Sequence, residues 1–593
     1  MFESLNYSGS SSRLSLAGLA MILTTIQAFS QNEATAPAAD NVSAAAAAEV
    51  ESPPDPGLQK LREATLKIIP ADRRHRELLA DVLVIAYEGR GYRNLWEVGP
   101  ESMGIYRNIR KALNSHAFPE LMALDPEGLV ELLGTAPVDP IDLARTIALL
   151  DAGLLARLGT VPAESIWPKW NSGDTPGLED RSAEGIARDL ILAASVSPFD
   201  VERVVDTLGP KNWIYQELRA AYPEAKEAIL RYSGLPNIPD PATAGVGRPG
   251  EAYPYAPAVA AHLVDRGYLE LSEEQVSLLS QMTPELTAAL TEFQKDYGLD
   301  TDGIFGPASW RYLNMNAAAF FRTVVINMHR ARLLPSSFGE RYLLANLPSA
   351  ELFGFGPNNF HDMTMRIVHG QAEEESRHTP VFRDVMQEIV FGPYWNVPKS
   401  IATKEILPKA QGDWGYLSRH HYEIVSDFNP YNKETHRLSP QNLELVAQGR
   451  LFLRQKPGPS NSLGHVKFLF PNSDNIYMHD TPAKSLFARS NRDYSHGCVR
   501  VAKPEELGAW VLQAQDWRPE EVKEAMFADI RKSQRVDPPV NVYITYLTMF
   551  PRPVFGGKIV LAPGRDVYDK DPADSRTLAA ILPWVEPEEP TIP

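Results

Sequence analysis

Apolar residues recur at steps of three and four positions through much of the chain up to residue 236, which is the spacing that one face of a helix requires. The clearest runs are LQKLREATLKII, DLARTIALLDAGLLARL and AEGIARDLILAASV. We therefore predict an all-helical scaffold over residues 58–236. Residues 31–57 before it are rich in Ala and Pro and show no apolar period, so we predict a flexible linker there.

A second pattern of short helices follows a boundary rich in Pro and Gly at residues 237–250. In the run LTAALTEFQKDYGLDTDGIFGPASWRYLN, Gly298 suits the end of one helix and Pro307 the first turn of the next. The run resembles the small three-helix peptidoglycan-binding domain, whose signature is AV-x-x-FQ followed by GL-x-x-DG-x-x-G-x-x-T. Ser309 stands in place of the last Thr. We place this domain at residues 247–315, and the residues alone leave a generic helical hairpin as the alternative.

From residue 320 onwards, one helical run gives way to short β-branched or alternating runs, among them MTMRIVHG, HVKFLFP, NIYMHD and VNVYITYL. Gly, Pro and Asn separate these runs, which is typical of strands and turns. We predict a mainly β domain at 320–560 and a C-terminal tail at 561–593. The strand pattern lapses into polar and aromatic sequence at 409–449, where we predict a capping insertion. The predicted fold class is multidomain α+β.

The first residues of the chain have the order of an export signal. Arg13 precedes the apolar run LSLAGLAMILTTI, and small residues follow it up to Ser30. This order predicts a secretory signal at residues 1–30, with an uncleaved membrane anchor as the alternative, and no other segment looks transmembrane. The 58 basic and 75 acidic residues give a net charge of −17, which disfavours binding to a phosphate backbone. We therefore exclude nucleic acid as a partner.

Cys498 is the only cysteine among the 593 residues. In an exported protein a lone thiol forms no internal disulfide, so it is either buried packing or a reactive group. In the local sequence Ser495-His496-Gly497-Cys498, an extended backbone would place the imidazole of His496 on the same face as Cys498. Gly497 between them admits a substrate backbone. A second candidate base, His479, lies at the end of a predicted strand. Spacing alone leaves the reactive and the packing interpretations about equal.

His479 followed by Ser495-His496-Gly497-Cys498 resembles the catalytic signature of the L,D-transpeptidases, which is a histidine, a gap of about 14 to 17 residues, and Ser/Thr-His-Gly-Cys. The flanking runs NSLGHVKFLFPNSDNIYMHDTPAKSLF and FGPYWNVPKSI, and the order of the domains, are similar to the large periplasmic members, the YcbB type. The resemblance implies a periplasmic cysteine acyltransferase that acts on peptidoglycan stem peptides and glycan. It also implies inhibition by carbapenem-type compounds, and neither a cofactor nor a metal.

The resemblance gives each motif residue an expected role. Cys498 is the nucleophile, which forms a thioester with a tetrapeptide stem and expels D-alanine. The thioester then passes to an amine of a neighbouring stem and makes a 3→3 cross-link. His479 is the general base, and His496 orients the site or stabilises the thiolate. Ser495 belongs to the same signature, and the N–H of Cys498, with that of Gly497 or a neighbour, is expected to form the oxyanion hole.

The predicted substrate contacts are Arg500, Tyr477, Tyr494, Trp395, Trp414 and Asn461. The guanidinium of Arg500 suits a substrate carboxylate, and a structural salt bridge fits this residue equally well. Each aromatic residue fits core or lid packing as well as a cleft. Two alternatives to a transpeptidase stay open: an L,D-carboxypeptidase, in which water resolves the thioester, and a peptidoglycan-binding protein without catalysis. A papain-like peptidase is disfavoured, because its cysteine usually precedes its histidine.

Overall fold

The computed structural model describes residues 56–69, 75–96, 105–118, 123–133, 138–159, 163–168, 170, 182–196, 200–231, 235–315, 317–432, 434–528, 530–554 and 558–579. All of them belong to one compact unit, Pro56–Pro593. The predicted signal at 1–30 and most of the predicted linker at 31–57 lie outside the described residues. Within the described ranges, no helix combines the length and the apolar character needed to cross a membrane.

Helices with the expected apolar period form the scaffold. They are α1 (Pro56–Ile68), α2 (Arg76–Gly89), α3 (Ile105–Ser115), α4 (Pro126–Leu133), α5 (Pro140–Leu158), α6 (Ala163–Ile166), α7 (Ala183–Val196), α8 (Val201–Leu208) and α9 (Trp213–Arg231). Most of them bury Leu, Ile, Val and Ala in a common core. Asp139 caps α5, because its carboxylate accepts hydrogen bonds from the N–H groups of Ile141 and Asp142, which have no partner inside the helix.

The next domain contains the short helices α10 (Pro241–Ala244), α11 (Ala256–Asp265), α12 (Glu273–Ser277), α13 (Pro284–Asp296) and α14 (Pro307–Leu313). Its signature residues meet at Gln294, whose side chain is buried. The amide nitrogen of Gln294 lies 3.1 Å from Asp302 Oδ1 and 3.1 Å from Ser309 Oγ. Its oxygen accepts a hydrogen bond from the N–H of Gly303 at 2.9 Å. One glutamine therefore holds the turn and α14 together, and serine serves where threonine is usual.

Arg552 joins the small helical domain to the β domain, to which it belongs. Its guanidinium pairs with Glu351 at 2.9 Å and donates to the carbonyl of Asp296, at the C-terminal end of α13, at 3.1 Å. A cation is favourable at this end of a helix because the last carbonyls have no partner inside the helix. Gly298 follows at φ +68°, and a Cβ there would lie 2.9 Å from Glu351 Oε1. Glycine is needed at this position for both the turn and the close approach.

The β domain begins with α15 (Ala317–Ala331) and is built on a closed sheet. Its strands are β1 (Tyr342–Asn346), β2 (Glu351–Phe355), β3 (His361–Gly370), β4 (Phe382–Phe391), β8 (Val466–Leu469), β9 (Met478–His479), β10 (Asp493–Ser495), β11 (Val499–Val501) and β12 (Lys532–Thr545), with helices α20 (Pro504–Leu512) and α21 (Pro519–Phe527) before β12. The strand order is β10-β3-β11-β9-β8-β4-β12-β1-β2, and β2 also pairs with β3. The sheet therefore closes into a barrel around an apolar core, with β10 joined to the end of β3. Closure leaves these strands no long unpaired edge.

Between β4 and β8 the chain forms a separate lobe, which we call the cap (395–455). It has a small antiparallel sheet of β5 (Trp395–Asn396), β6 (Tyr422–Val425) and β7 (Phe452–Gln455), and the helices α16 (Lys399–Ile401), α17 (Leu407–Gly412), α18 (Tyr416–Arg419) and α19 (Pro440–Gln448). A π-helical turn, Ala402–Ile406, joins α16 to α17. The cap extends beyond the predicted 409–449 on both sides, because Val397 and Leu453 complete its apolar core.

Part of the predicted tail is folded into the β domain. The strands β13 (Met549–Pro553) and β14 (Ile559–Pro563) form a hairpin, and α22 (Lys570–Ala579) follows. Arg330 on α15 is fully buried and pairs with Asp571 and Asp574 of α22, each at 2.7 Å. These carboxylates neutralise a buried guanidinium, which explains why the segment packs here. The predicted class is confirmed: a helical scaffold, a small helical domain and a mainly β domain.

Candidate active site

Ser495-His496-Gly497-Cys498, which we call the motif, lies at a tight loop of the barrel. Ser495 ends β10, and the next three residues connect it to β11. Thr379 Oγ1 donates a hydrogen bond to the carbonyl of Gly497 at 2.7 Å, and Ser495 Oγ donates to the carbonyl of Cys498 at 2.5 Å. Both bonds are to main-chain oxygens, so they fix the path of the loop that carries the sulfur.

Gly497 has a conformation that favours glycine. Its φ of +114° lies in a region that other residues rarely adopt, and a Cβ there would lie 3.2 Å from Ile476 Cδ1. The N–H of Gly497 donates to Ser495 Oγ at 3.1 Å. This amide is therefore occupied, which leaves a neighbour as the expected second donor of the oxyanion hole. The Cys498 N–H stays the candidate donor.

Cys498 is half-buried beside Tyr477. Its S–H group points to the carbonyl of Asn475 at 3.7 Å, and the sulfur interacts with both the N–H and the hydroxyl of Tyr477. Burial raises the pKa of Cys498 to about 11, although the hydrogen bonds from Tyr477 and the positive charges of Arg500 and Lys467 lower it. The resting sulfur is therefore a thiol, and a base must take its proton before it attacks.

His479 lies on the strand next to the motif. In the parallel pair of β9 and β11, Met478 is opposite Val499 and His479 is opposite Arg500. Met478 and Val499 are buried in the barrel core, so the alternation of side chains turns His479, Arg500 and Cys498 to the other face. His479 on β9 and Cys498, the residue before β11, thus lie on the same face of the sheet.

The ring of His479 has a defined tautomer. Its Nδ1 lies 2.5 Å from the carbonyl oxygen of Asp480. A carbonyl only accepts hydrogen bonds, so Nδ1 carries the hydrogen and Nε2 keeps a lone pair. Burial, followed by the positive charge of Arg500, lowers the pKa of His479 to about 3. The ring is therefore neutral at neutral pH, which is the state that a general base requires.

The side chain of Asp480 holds the carbonyl that orients His479. Its carboxylate accepts hydrogen bonds from the N–H groups of His465 at 2.9 Å and Thr481 at 2.6 Å, and it pairs with Lys484 at 2.5 Å. The side chain of Asp480 is buried. Asp480 therefore fixes the ring of His479, the candidate base, through the main chain, a role that the sequence did not indicate.

Two cations, Arg500 and Lys467, act on the sulfur of Cys498, and Lys467 also lines an open cleft. Burial lowers the pKa of Arg500, and within the described residues its Nε has no hydrogen-bond partner. Lys467 on β8 is opposite His479 in the register, and its Nζ lies 5.7 Å from the ring centre of Tyr477. Lys467, Tyr477 and Asn475 line a cleft of about 870 Å³, a size that accommodates a small ligand. For Arg500, contact with a substrate carboxylate stays a prediction.

The structure pairs His496 with the cap. The Nε2 of His496 lies 2.6 Å from Oε1 of Glu405, in the π-helical turn of the cap. Arg377 Nη2 lies 3.3 Å from the same oxygen. The expected role of His496 in orienting the site or stabilising the thiolate stays a prediction. Its observed contact is a carboxylate of the cap.

The predicted aromatic contacts lie in different places. Tyr477 is at the sulfur. The guanidinium of Arg489 lies 5.1 Å from the ring centre of Tyr494. Trp395 packs against the core of the cap, and Trp414, also in the cap, is 50% exposed. For Tyr494, Trp395 and Trp414 a substrate contact stays a prediction.

Asn461 has a structural role in place of the predicted substrate contact. Its side chain has no exposed surface. The amide donates to the carbonyls of Pro393 at 3.0 Å and Lys456 at 2.8 Å, and its oxygen accepts from the N–H of Leu463 at 2.7 Å. Pro393 precedes the cap and Lys456 follows it, so Asn461 ties the two ends of the cap together. The prediction was wrong because an asparagine that binds backbone looks the same in a sequence as one that binds a ligand.

The C-terminal segment supports the motif loop through residues that the sequence did not single out. Thr379 Oγ1 accepts a hydrogen bond from the N–H of Gly370 at 2.9 Å, beside the bond that it donates to Gly497. The hydroxyl of Tyr568 accepts from the N–H of Thr379 at 3.1 Å and donates to the carbonyl of Gly370 at 2.9 Å. Thr379 and Tyr568 lie far from the motif along the chain, so no local pattern indicates them.

Known proteins resemble two parts of this chain. Residues 340–540 match the family described as YkuD, L,D-transpeptidase catalytic domain, and residues 258–313 match the family described as "Putative peptidoglycan binding domain". A Haemophilus influenzae protein described as "Putative L,D-transpeptidase" is 31% identical over 254 residues, which is 42% of this chain and 48% of that protein. The chain thus spans about half the length of this relative.

A solved structure also resembles the chain, but weakly. It is a fused Zn-dependent amidase/peptidase/peptidoglycan-binding domain-containing protein from Clostridium acetobutylicum, and the match covers 51% of this chain and 99% of that one. The identity is 11% and the TM-score 0.15, which is too low to indicate a shared fold.

Proposed function

We propose that this chain catalyses L,D-transpeptidation of peptidoglycan, since residues 340–540 match the YkuD family of L,D-transpeptidase catalytic domains and residues 258–313 match a family of peptidoglycan-binding domains. The observation that supports this most is that His479 on β9 and Cys498, just before the adjacent strand β11, lie on one face of the sheet, with a lone pair on His479 Nε2. Burial keeps the sulfur protonated, so an acyl-transfer reaction needs such a base.

In the first half-reaction, His479 Nε2 takes the thiol proton as the sulfur of Cys498 attacks a carbonyl carbon. We propose that this carbonyl belongs to the diaminopimelate at position three of a tetrapeptide stem. The carbon–sulfur bond forms, and negative charge develops on the carbonyl oxygen, for which the Cys498 N–H is the candidate donor. The carbon–nitrogen bond to the terminal D-alanine then breaks, and the proton on His479 goes to the departing amine. A thioester and free D-alanine result.

In the second half-reaction, the side-chain amine of a diaminopimelate in a neighbouring stem attacks the thioester. His479 Nε2 takes a proton from this amine and gives it to the departing sulfur of Cys498. The new amide is a 3→3 cross-link, and the thiol is restored. Attack by water in place of the amine gives an L,D-carboxypeptidase, and the mass of the product distinguishes the two reactions.

The surroundings of the sulfur suit such a substrate. The Nε of Arg500 has no hydrogen-bond partner within the described residues, and a guanidinium binds a carboxylate with two parallel hydrogen bonds. Diaminopimelate carries a free carboxylate at the end of its side chain, so Arg500 is our candidate for its recognition. The cleft beside Tyr477 and Lys467 has the volume for part of a stem peptide.

We further propose that the chain is of the YcbB type and works in the periplasm after export by the signal at residues 1–30. The order of the scaffold, the peptidoglycan-binding domain and the capped barrel supports this assignment. A carbapenem, whose strained ring carbonyl reacts with nucleophiles, is expected to acylate Cys498 and thereby inhibit the enzyme.

The experiment is incubation of the full chain with defined disaccharide-tetrapeptides, followed by mass analysis of the products. We expect cross-linked dimers that have lost one D-alanine, and a single carbapenem adduct located on Cys498. Cys498→Ala, checked for folding by circular dichroism, is the control and should give neither. If the wild type and this variant gave the same products, the proposed function would be wrong. A folded wild type without an adduct would favour a peptidoglycan-binding protein without catalysis.

A further inference from the structure

A carboxylate of the cap contacts the catalytic motif directly. Glu405 Oε1 lies 2.6 Å from His496 Nε2, and His496 lies on the loop that carries Cys498. The side chain of His496 is 30% exposed and that of Glu405 34%, so the pair is partly shielded from water. An ionised carboxylate only accepts, so Nε2 donates, and hydrogen bonds to charged groups are among the stronger ones in proteins.

Glu405 is also held in this position by a cation. Arg377 Nη2 lies 3.3 Å from its Oε1. The other nitrogens of Arg377 are fixed as well, by Glu374 at 2.7 Å and by the side-chain oxygen of Gln371 at 2.8 Å. Lys404, next to Glu405 on the cap, lies 3.8 Å from Glu374. The loop that contains Arg377 therefore lies between the cap and the motif and contacts both.

The backbone of the cap is unusual at this point. Glu405 lies in the π-helical turn, in which Ala402 and Ile406 are buried in the core of the cap. Such turns hold one more residue than an α-helical turn and are frequently found at functional sites. Here the buried residues leave Glu405 on the side of the turn that meets His496.

We propose that Glu405 is a positioning residue for the transfer reaction: the cap, when seated, fixes the ring of His496 through the bond from Nε2–H to Oε1. The ring in turn restrains the loop on which Cys498 stands. This inference rests on the proposed function and gives the cap a part in the chemical step, beyond covering the cleft. Glu405 itself need not touch the substrate.

The test uses the full chain and the variants Glu405→Leu, Glu405→Gln, His496→Gln and the double variant of Glu405→Leu with His496→Gln. Glu444→Gln is the matched control, because Glu444 is exposed on α19 of the same cap and contacts Gln448 of its own helix. Intact mass analysis follows acylation of Cys498 by a carbapenem over a range of concentrations. This separates the maximal rate from the half-saturating concentration, and thermal unfolding monitors the fold.

We expect Glu405→Leu to lower the maximal acylation rate about tenfold, which is ~1.4 kcal/mol in the barrier, with the half-saturating concentration unchanged. Glu405→Gln keeps an acceptor oxygen and should recover most of the rate. The double variant should be no slower than His496→Gln, because both changes remove the same interaction. If Glu405→Leu reacts as fast as Glu444→Gln, or if the losses add in the double variant, the inference is overturned and the proposed function stands. A wild type that gains no mass at Cys498 overturns the proposed function and this inference with it.

Discussion

The protonation state of Cys498 is the property of the site that allows the most quantitative test. Burial raises the pKa of its thiol from 9.0 to about 11, which corresponds to about 2.7 kcal/mol at 1.36 kcal/mol per pKa unit. At pH 7 this leaves about one thiolate in 10⁴ molecules. His479, with a pKa of about 3, is neutral at the same pH. We therefore predict a neutral thiol beside a neutral imidazole at rest, and no thiolate–imidazolium pair.

The assay is alkylation of Cys498 by iodoacetamide between about pH 6 and 11, read by intact mass. Because the chain has one cysteine, the difference in mass gain between the wild type and Cys498→Ala reports this site and removes the alkylation of lysines at high pH. Iodoacetamide reacts with the thiolate, so the rate should rise about tenfold per pH unit and level off near pH 11. Tyr477→Phe removes a hydroxyl that lowers the pKa of Cys498, so alkylation of this variant at about pH 8 should be slower, by about tenfold. Free N-acetylcysteine under the same conditions is the reagent control.

A rate that is already level between about pH 6 and 9 would refute this reasoning. It would mean that the charges of Arg500 and Lys467 outweigh burial and that the thiolate forms without a base.

The same pKa shift of Cys498 also makes the free energy of unfolding depend on pH. The native thiol of Cys498 keeps its proton above pH 9.0, where the unfolded chain loses it, so the free energy of unfolding should fall as the pH rises from 9.0 to about 11.

Burial lowers the pKa of His369 from 6.5 to about 4, so only the unfolded chain takes up the proton in this window and the free energy of unfolding should fall as the pH drops through it. Urea unfolding of His369→Asn should show a flatter dependence of this free energy on pH, and an identical slope would contradict the prediction. Gly497→Ala should slow carbapenem acylation at least ~10-fold because of the backbone strain, whereas Gly412→Ala, where nothing lies within 4 Å of the added Cβ, should react like the wild type. Arg330→Met leaves buried carboxylates without their cation and should cost about 3–5 kcal/mol in urea unfolding, so an unchanged midpoint would count against it. Asn461→Leu leaves backbone carbonyls without donors, and hydrogen exchange should rise at the two ends of the cap and stay unchanged in the barrel core.

The sequence predicts best where one local signal decides the structure. The three- and four-residue apolar steps are enough to locate the scaffold helices, and Pro307 begins α14 as expected. The signature around Gln294 works because one side chain bonds the residues that make up the signature. The signature pairs His479 with Cys498, but the order of these residues does not specify that β9 and β11 run parallel or that Arg500 lies opposite His479.

Long-range pairing explains what the sequence leaves out. The closure of the barrel between β2 and β3 depends on strands whose partners no local period specifies. The support of the motif loop by Tyr568 and the contact of Glu405 with His496 arise in the same way, from segments distant along the chain. Asn461 was misassigned because its partners are main-chain carbonyls, which every sequence has.

The clamp between the small helical domain and the barrel sets a length scale. Arg552 binds the end of α13, and Lys558 pairs with Asp296 of the same helix at 3.0 Å. These contacts fix the small helical domain to the barrel. Under the proposed function, a glycan strand gripped by that domain would be presented to Cys498 at one constant offset along its axis. Stems at other repeats of the polymer would lie out of register. The interval between successive cross-links would then be a geometric property of the enzyme, independent of how much substrate is supplied.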